Sequence, residues 1–304
     1  MTPHSIPTNK SLGQHWLSDE AVLNGIADFA GVKTGETVLE IGPGPGGLTQ
    51  VLINAGVNVV AVEFDAALAE ALPQRVKSPH LTVFNEDILK FDLSQVTGSV
   101  AARASQSDAV RTKSDHRSAG VNKDTSSSGD AALRSEMDAP RSSYKVVANV
   151  PYYITSKIVR LLLESPMPPT SATLLVQKEV AERIAAVPGE MSLMSVAAQF
   201  YARVTLGAVV PAALFTPPPK VDSQLVRLDY TGARFSDVEP KKFFQIVRAG
   251  FGERRKKLRS SLSGGLHMSK EQTDTLLQRA HISPDARAQE LSIEQWYELC
   301  KAMR

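Results

Sequence analysis

The residues that most directly suggest chemistry are Asn149 to Tyr153, Asn-Val-Pro-Tyr-Tyr, which follow the apolar stretch 145–148. Because proline fixes its own backbone and restricts the residue before it, the predicted strand must end here and turn. The turn would bring together an amide side chain, the backbone carbonyl of Val150 and a tyrosine ring. Amide and carbonyl oxygens accept from an amino group, and a tyrosine ring stacks on a flat base. The segment therefore predicts a site for an amino-bearing nucleobase, with an ordinary strand-to-loop corner as the alternative.

A glycine-rich loop lies upstream, where residues 40–47 follow one predicted strand and open a predicted helix. Glycines let backbone N–H groups approach a ligand closely, and a helix N-terminus favours negative charge. Glu63 ends the next predicted strand, where its carboxylate would accept from both hydroxyls of a ribose. Asp87 follows the third strand and would accept from an adenine amino group, or else form a helix cap or an Asx turn. These residues predict a site for a cofactor that contains adenosine.

Two such cofactors fit the loop. Gly42, Gly44 and Gly47 satisfy the G-x-G-x-x-G pattern, which leaves NAD open. Glu40 would repel a pyrophosphate, whereas it suits the cationic sulfonium and the amino group of S-adenosylmethionine. Asn149 would then follow the fourth strand, beside the reactive end of the cofactor. The sequence therefore favours S-adenosylmethionine, with NAD as the alternative.

The elements that must position these residues alternate between strands and helices, a pattern typical of βαβ units and a parallel sheet. After the first 30 residues, strands are predicted at 37–41, 57–62, 81–84, 145–148, 172–176, 204–210 and 224–230. Helices are predicted at 19–31, 48–55, 66–72, 154–164 (capped by Thr155 or Ser156), 177–186 and 194–201. Beyond Gly232 only helices are predicted, at 240–251, 253–263, 269–280 and 292–303. The predicted fold class is α/β with a small all-α C-terminal domain.

Composition divides the chain further. We predict a cofactor-binding domain over residues 1–232 and a small helical domain over residues 233–304. Residues 97–143 are rich in Ser, Ala, Asp and Arg and hold almost no large apolar side chain. Such a segment cannot bury enough apolar surface to offset its ordering entropy, so we predict a disordered surface insertion between two core strands. A regulatory or RNA-contacting arm is a less favoured interpretation.

Composition and charge also narrow the class of protein. Cys300 is the single cysteine among 304 residues, which excludes an internal disulfide and a cysteine-based zinc cluster and fits a reducing cytoplasm. No signal peptide or membrane span is visible. Residues 35–93 hold eight Asp or Glu against three Lys or Arg, whereas residues 241–304 hold thirteen Lys or Arg against seven Asp or Glu. This asymmetry indicates a nucleic-acid partner at the basic end.

Taken jointly, the motifs resemble the ribosomal RNA adenine dimethyltransferase family, most of all its bacterial small-subunit members. The matching segments are 11–17, 40–47, 86–89, 149–153, 177–183, 215–223 and 251–262. The resemblance implies a Rossmann-like class I methyltransferase that uses S-adenosylmethionine and needs no metal. It implies dimethylation of N6 on two adjacent adenosines in a 3′-terminal hairpin of 16S ribosomal RNA, and a role in small-subunit biogenesis. We expect a cytoplasmic monomer whose partner is the small ribosomal subunit.

The resemblance also implies roles for single residues. His15 and Leu17 would line the methionine side of the cofactor, Gly42 would lie under the methionine, Glu63 would contact the ribose, Asp87 the adenine and Asn149 the reacting centre. Trp16, where the family usually has Phe, would be core packing or a cofactor cover. Val150 stands where Leu or Pro is common.

For the reaction, the Asn149 side-chain oxygen and the Val150 carbonyl would accept the two N6 hydrogens. These bonds favour a more tetrahedral nitrogen as the methyl arrives. Tyr152 would stack on the flipped adenine, Phe215 would cover its other face, and Tyr153 would pack rather than take part. Transfer would be an in-line attack helped mainly by alignment.

A basic run near the C-terminus is the predicted RNA contact. A single predicted helix would carry Arg254, Arg255, Lys256, Lys257 and Arg259. This composition is typical of a surface that contacts phosphates, and a solvated helix face is the alternative.

Three other functions stay open at this point. Relatives with a similar site methylate large-subunit ribosomal RNA, and a ribosome-assembly factor could keep the fold without catalysis. The intact site residues argue against lost catalysis. An NAD-dependent oxidoreductase is the most remote alternative, because no His or Lys follows the fourth strand as a hydride-site residue.

Overall fold

The computed structural model describes residues 14–98, 143–253 and 255–303. The strands are β1 (Trp16–Leu17), β2 (Thr37–Ile41), β3 (Asn58–Glu63), β4 (Leu81–Asn85), β5 (Tyr144–Asn149), β6 (Ser171–Gln177), β7 (Ala202–Val210), β8 (Phe215–Thr216) and β9 (Ser223–Tyr230). The helices are α1 (Glu20–Ala30), α2 (Gly47–Asn54), α3 (Ala66–Arg75), α4 (Thr155–Leu163), α5 (Lys178–Ile184), α6 (Leu193–Tyr201), α7 (Pro240–Phe251), α8 (Leu258–Gly265), α9 (Lys270–Arg279) and α10 (Ile293–Ala302).

Seven strands form one sheet in the order β4-β3-β2-β5-β6-β9-β7. The first five strands in this order, β4, β3, β2, β5 and β6, are parallel. Strand β9 lies between β6 and β7 and is antiparallel to both. Strands β1 and β8 form a separate antiparallel pair. The chain order reverses between the adjacent strands β2 and β5, and ligands of such sheets bind beyond the carboxyl ends of the strands at this reversal. The topology therefore places residues after Ile41 and Asn149 at the expected binding crevice.

The sheet is covered on both faces, which explains its continuous apolar strands. Along β3, Val60 and Val62 belong to a core that includes buried residues of α4 and α5. Val59 and Ala61 alternate with them and pack on the other face, in a core that includes buried residues of α1, α2 and α3. Side chains in a strand point alternately to opposite faces, so a strand covered on both sides must be apolar throughout.

A third apolar cluster joins the C-terminal helices to α6. Its fully buried members include Phe243 of α7 and Trp296 of α10. Phe200 of α6 lies in the same cluster, and its ring centroid is 4.5 Å from that of Phe243. The C-terminal helices therefore share their core with a helix that precedes residue 233. The domain division at 232/233 stays a prediction.

Most predicted elements are confirmed, and two details are wrong. Helix α4 follows directly from the 3₁₀ turn Tyr152–Ile154, so Ile154 is its N-cap and neither Thr155 nor Ser156 caps it. The helix predicted at 253–263 begins only at Leu258, because Lys257 is extended with φ −62° and ψ 148°. Nearly all of the predicted insertion, residues 99–142, lies outside the described residues.

No helix among the residues described is long and apolar enough to cross a membrane. The same residues contain no group of three or more His, Cys, Asp or Glu placed to hold a metal ion.

Candidate active site

A cavity of about 360 Å³ opens at the carboxyl edge of the parallel strands. Its walls are the segments that follow β2, β3, β4 and β5, together with residues 14–17. The cavity brings together eight of the predicted cofactor and catalytic residues: His15, Leu17, Gly42, Glu63, Asp87, Asn149, Val150 and Tyr152. These residues come from five separate stretches of chain, so the parallel topology is what assembles them.

The glycine loop lies against Trp16. Gly44 has a φ of +55°, and a Cβ atom there would lie 2.7 Å from Cζ3 of Trp16. Only glycine satisfies both demands, since other residues rarely adopt positive φ and no space is left for a side chain. Trp16 is 9% exposed, packs on the loop and lines the cavity. It therefore serves both as core packing and as part of the cavity wall.

Glu63 is held in place by two backbone N–H groups. Its Oε2 accepts from the N–H of Gly44 at 3.0 Å, and its Oε1 accepts from the N–H of Asp65 at 2.9 Å. Burial raises the pKa of Glu63, and these two hydrogen bonds oppose that rise. A carboxylate has about four acceptor positions, so capacity remains for two hydroxyl donors. The observed arrangement suits the predicted ribose contact.

Asp87 forms the Asx turn that the sequence left as an alternative. Its Oδ1 accepts from the N–H of Leu89 at 3.0 Å. No hydrogen bond to its Oδ2 is present within residues 14–98, 143–253 and 255–303. The turn orients the carboxylate in the cavity wall, so a structural role and a ligand contact are compatible.

Glu40 is a buried carboxyl group in the cavity wall. It is 1% exposed, and burial raises its pKa to about 8, while the nearby Thr49 hydroxyl lowers the pKa and the Glu63 charge raises it. Neither Glu40 Oε2 nor Thr49 Oγ1 has a hydrogen-bond partner of good geometry in the described part of the chain. A buried polar atom without a partner is costly, so this carboxyl group is suited to a cationic ligand group.

We expect the substitution Glu40→Gln to stabilise the ligand-free protein, and to do so more at pH 8 than at pH 5. The folded-state pKa of about 8 lies above the unfolded value of 4.5, so the wild type loses stability as pH rises between them. Glutamine mimics the protonated form at every pH. The free energy of unfolding of Glu40→Gln, relative to the wild type, should rise by more than about 1 kcal/mol from pH 5 to pH 8, because each pKa unit corresponds to about 1.4 kcal/mol.

Thermal unfolding at the two pH values checks this expectation. The exposed acid Glu70 provides the matched control, since Glu70→Gln should show no such trend. An equal effect of Glu40→Gln at both pH values would show that Glu40 is not protonated in the folded protein.

The side chain of Asn149 is oriented by the N-terminal segment. Its Nδ2 donates to the backbone carbonyl of His15 at 3.5 Å, a long hydrogen bond that assigns the NH₂ group to that side. The other end of the amide, Oδ1, is then left as an acceptor in the cavity. An oriented acceptor at the end of β5 can receive a hydrogen bond from an amino group. This is the chemistry predicted for Asn149.

Tyr152 is fixed at both ends. Its hydroxyl lies 2.7 Å from Oγ of Ser223, and its ring stacks with that of His15 at a centroid distance of 5.9 Å and an interplanar angle of 24°. Burial raises the pKa of Tyr152, so the phenol is protonated at neutral pH. His15 Nδ1 is 2.7 Å from the carbonyl oxygen of Pro217, so Nδ1 is the ring nitrogen that donates to this carbonyl.

The structure does not bring Phe215 to the cavity. Phe215 is 3% exposed, pairs with Leu17 across β1 and β8, and belongs to the apolar core. A ring packed among core side chains has no free face for a base. This position does not support Phe215 as the second stacking ring.

Two aromatic residues at the cavity were missed or misjudged. Tyr153 and Phe64 both line the cavity, and each is 60% exposed. Exposure contradicts the expectation that Tyr153 packs in the structure. Phe64 directly follows Glu63 at the end of β3, and this position at the carboxyl edge is the signal that would have identified it.

The predicted basic helix is instead a turn followed by a helix. Arg255 and Lys256 precede α8 and are exposed, and Arg254 lies outside the described residues. Lys257 pairs with Asp285 at 2.6 Å, and Arg259 pairs with Asp274. Within the described chain, Arg255 and Lys256 form no ion pair. None of the described members of this run lines the cavity.

Known proteins match the chain over nearly its whole length. The model of the family described as ribosomal RNA adenine dimethylase matches residues 7–304. Ribosomal RNA small subunit methyltransferase A of Dehalococcoides mccartyi (strain CBDB1) is 37% identical over 302 residues, which cover 99% of this chain and 90% of that protein. The protein of the same name from Bacillus mycoides (strain KBAB4) is 35% identical over 301 residues, covering 97% of this chain and 90% of that protein.

Solved structures show the same fold. A dimethyladenosine transferase from Plasmodium falciparum has a TM-score of 0.68 at 21% identity, covering 94% of this chain and 96% of that chain. The 23S rRNA methyltransferase ErmE has a TM-score of 0.65 at 24% identity, covering 94% of this chain and 98% of that chain. These likenesses confirm the predicted class I methyltransferase fold. Together with the family match and the full-length relatives, they show that the chain belongs to the ribosomal RNA adenine dimethylase family.

Proposed function

We propose that this protein transfers methyl groups from S-adenosylmethionine to N6 of two adjacent adenosines in a 3′-terminal hairpin of small-subunit ribosomal RNA. The observation that carries the proposal is the orientation of Asn149, whose NH₂ group is held by the His15 carbonyl. That contact leaves Oδ1 of Asn149 as the acceptor that would receive an adenine amino group. The family match and the names of the full-length relatives support adenine in small-subunit RNA as the target.

The cavity residues fit S-adenosylmethionine. Glu63 would hold the ribose, Asp87 the adenine, and the loop around Gly42 the methionine end. The orphaned Oε2 of Glu40 suits a cation better than the pyrophosphate of NAD. When bound, S-adenosylmethionine supplies an electrophilic methyl group on a cationic sulfur.

The protein's own residues do the remaining work. The adenine amino nitrogen is a poor nucleophile, because its lone pair is delocalised into the ring. Its two N–H groups would donate hydrogen bonds to Asn149 Oδ1 and the Val150 carbonyl, and these bonds favour a tetrahedral nitrogen. The hydrogen bonds are therefore stronger in the transition state than in the ground state. Tyr152 would stack on the base and Trp16 would help to exclude water. Alignment supplies the rest of the rate enhancement.

Labelled S-adenosylmethionine and small ribosomal subunits that lack the dimethyl marks test this proposal. We expect label in two adjacent adenosines near the 3′ end, located by mapping the RNA. Large subunits form the parallel arm, since relatives with this fold include a 23S rRNA methyltransferase. Label confined to large subunits would replace the proposed substrate, and label in neither would favour an assembly factor without catalysis.

We place the protein in the cytoplasm with its substrate, which the lone buried Cys300 fits.

The exposed cations Arg255 and Lys256 should contribute to RNA binding. We expect Arg255→Gln and Lys256→Gln each to weaken binding of the subunit and to reduce the slope of log affinity against log salt by about 1. The control is Lys77→Gln, because Lys77 is exposed and lies in the acidic region 35–93. Binding measured at several salt concentrations checks this, and equal slopes in all variants would remove this segment from the RNA contact.

A further inference from the structure

Tyr152, the proposed base-stacking ring, has two anchors from one short segment. The segment 215–223 runs from β8 to the start of β9. At one end the Pro217 carbonyl holds the His15 ring, which stacks on Tyr152. At the other end the Ser223 hydroxyl meets the Tyr152 hydroxyl at 2.7 Å. The segment that sequence reasoning assigned to base contact through Phe215 therefore contacts Tyr152 and His15 instead.

Ser223 is a rigid reference point. It is the first residue of β9, and it pairs with Gln177 of β6 on one side and Val210 of β7 on the other. Its side chain is fully buried, at 0% exposure. A strand bonded on both sides moves little, and a buried hydroxyl exchanges its partner for water only at a cost. The Ser223 Oγ position is therefore set by the sheet.

Tyr152, in contrast, lies in a single 3₁₀ turn whose N-cap makes no side-chain hydrogen bond. Its ring angle depends on two side-chain torsions that the turn alone does not fix. Stacking requires the ring and the base to be nearly parallel, so a ring free to rotate would hold a base poorly. The hydrogen bond to Ser223 fixes the position of the hydroxyl, and with it the direction of the long axis of the ring. The His15 ring stacked on Tyr152 limits rotation of the ring about that axis.

We propose that Ser223 is a positioning residue, which holds the Tyr152 ring in the place required to stack on the target adenine. The inference rests on the proposed function, since it concerns how that site receives its base. Ser223 affects binding of the base, through Tyr152, and does not affect binding of the cofactor. Its loss should therefore lower turnover of RNA while the affinity for S-adenosylmethionine stays unchanged.

A double-mutant cycle tests this inference in the full-length protein. Ser223→Ala and Tyr152→Phe each remove one partner of the same hydrogen bond, and the double variant removes both. We expect each single variant to lower kcat/KM for small subunits by about three- to tenfold. The double variant should be no slower than the slower single variant, because partners in one interaction are not additive. Calorimetry should give the same dissociation constant for S-adenosylmethionine in all four proteins.

The control is Ser171→Ala, because Ser171 is a buried serine at the opposite end of the neighbouring strand β6. A second readout is the fluorescence of 2-aminopurine placed at the target position of a hairpin RNA. Stacking on Tyr152 should quench it, and Ser223→Ala should reduce the quenching while Ser171→Ala does not.

Additive losses in the cycle, or unchanged turnover and quenching in Ser223→Ala, would overturn the positioning role. A fall in cofactor affinity together with a lower thermal midpoint would also overturn it, in favour of a purely structural role. If the wild type neither methylates small subunits nor quenches the probe, both the proposed function and the positioning role of Ser223 are refuted. Methylation by the wild type with no effect of Ser223→Ala refutes the inference alone.

Discussion

Replacing Asn149 by alanine should lower the rate of methyl transfer by at least about a hundredfold, the usual cost of removing one transition-state acceptor or donor. The affinity for S-adenosylmethionine should stay within about twofold, since the Asn149 oxygen is expected to face the base. Among residues 14–98, 143–253 and 255–303, the side-chain amide of Asn149 hydrogen-bonds only to the His15 carbonyl, and not to the glycine loop. Single-turnover transfer and calorimetric binding of the cofactor measure the two effects separately.

The matched control is Asn58→Ala, because Asn58 begins β3 at the opposite edge of the sheet. This variant should transfer methyl groups at the wild-type rate. Near-normal turnover in Asn149→Ala would remove Asn149 from the reacting centre. Loss of cofactor affinity in the same variant would instead assign its side chain to the cofactor.

Replacing Glu63 by glutamine should weaken S-adenosylmethionine binding by about a hundredfold or more, because charged acceptors contribute about 1.5–3 kcal/mol for each hydrogen bond. Both carboxyl oxygens already accept a backbone N–H, one from Gly44 and one from Asp65. The NH₂ group of glutamine would face one of these donors. The loop would therefore lose its alignment at the same time as the ribose loses an acceptor.

Calorimetry measures this loss directly, and thermal unfolding with and without the cofactor measures it independently. A ligand that binds only the folded state raises its stability in proportion to the logarithm of concentration over the dissociation constant. We expect this stabilisation to disappear in Glu63→Gln and to persist in Glu70→Gln, whose acid is exposed on α3. Wild-type affinity in Glu63→Gln would show that this carboxylate does not contact the ribose.

Much of the cavity could be predicted from local features of the sequence. Glu40, Gly42 and Glu63 lie at or just after the ends of apolar, β-rich runs, and a parallel sheet brings such strand ends to a common edge. Their positions needed only the periodicity of each run and the glycine pattern between strand and helix. The predicted cofactor contacts accordingly all lie in one cavity.

The errors lie where distant segments meet. Phe215 precedes a proline-rich loop in the sequence and resembles an exposed loop residue, but pairing of β8 with β1 buries it in the core. The basic run resembled a continuous helix by composition, but Lys257 is extended and pairs with Asp285 from another part of the C-terminal region. Neither contact leaves a trace in local periodicity.

The sequence by itself therefore determined the alternation of strands and helices, the glycine loop and the kinds of side chain at the strand ends. These depend on backbone preferences and on hydrophobic spacing within a few residues. Tertiary structure alone decided which end of the Asn149 amide faces the cavity and which hydroxyl holds Tyr152. The Asn149 orientation depends on His15, which lies 134 residues away along the chain. The Tyr152 position depends on Ser223, which lies 71 residues away. Hydrogen bonds over such separations exist only after the sheet has formed.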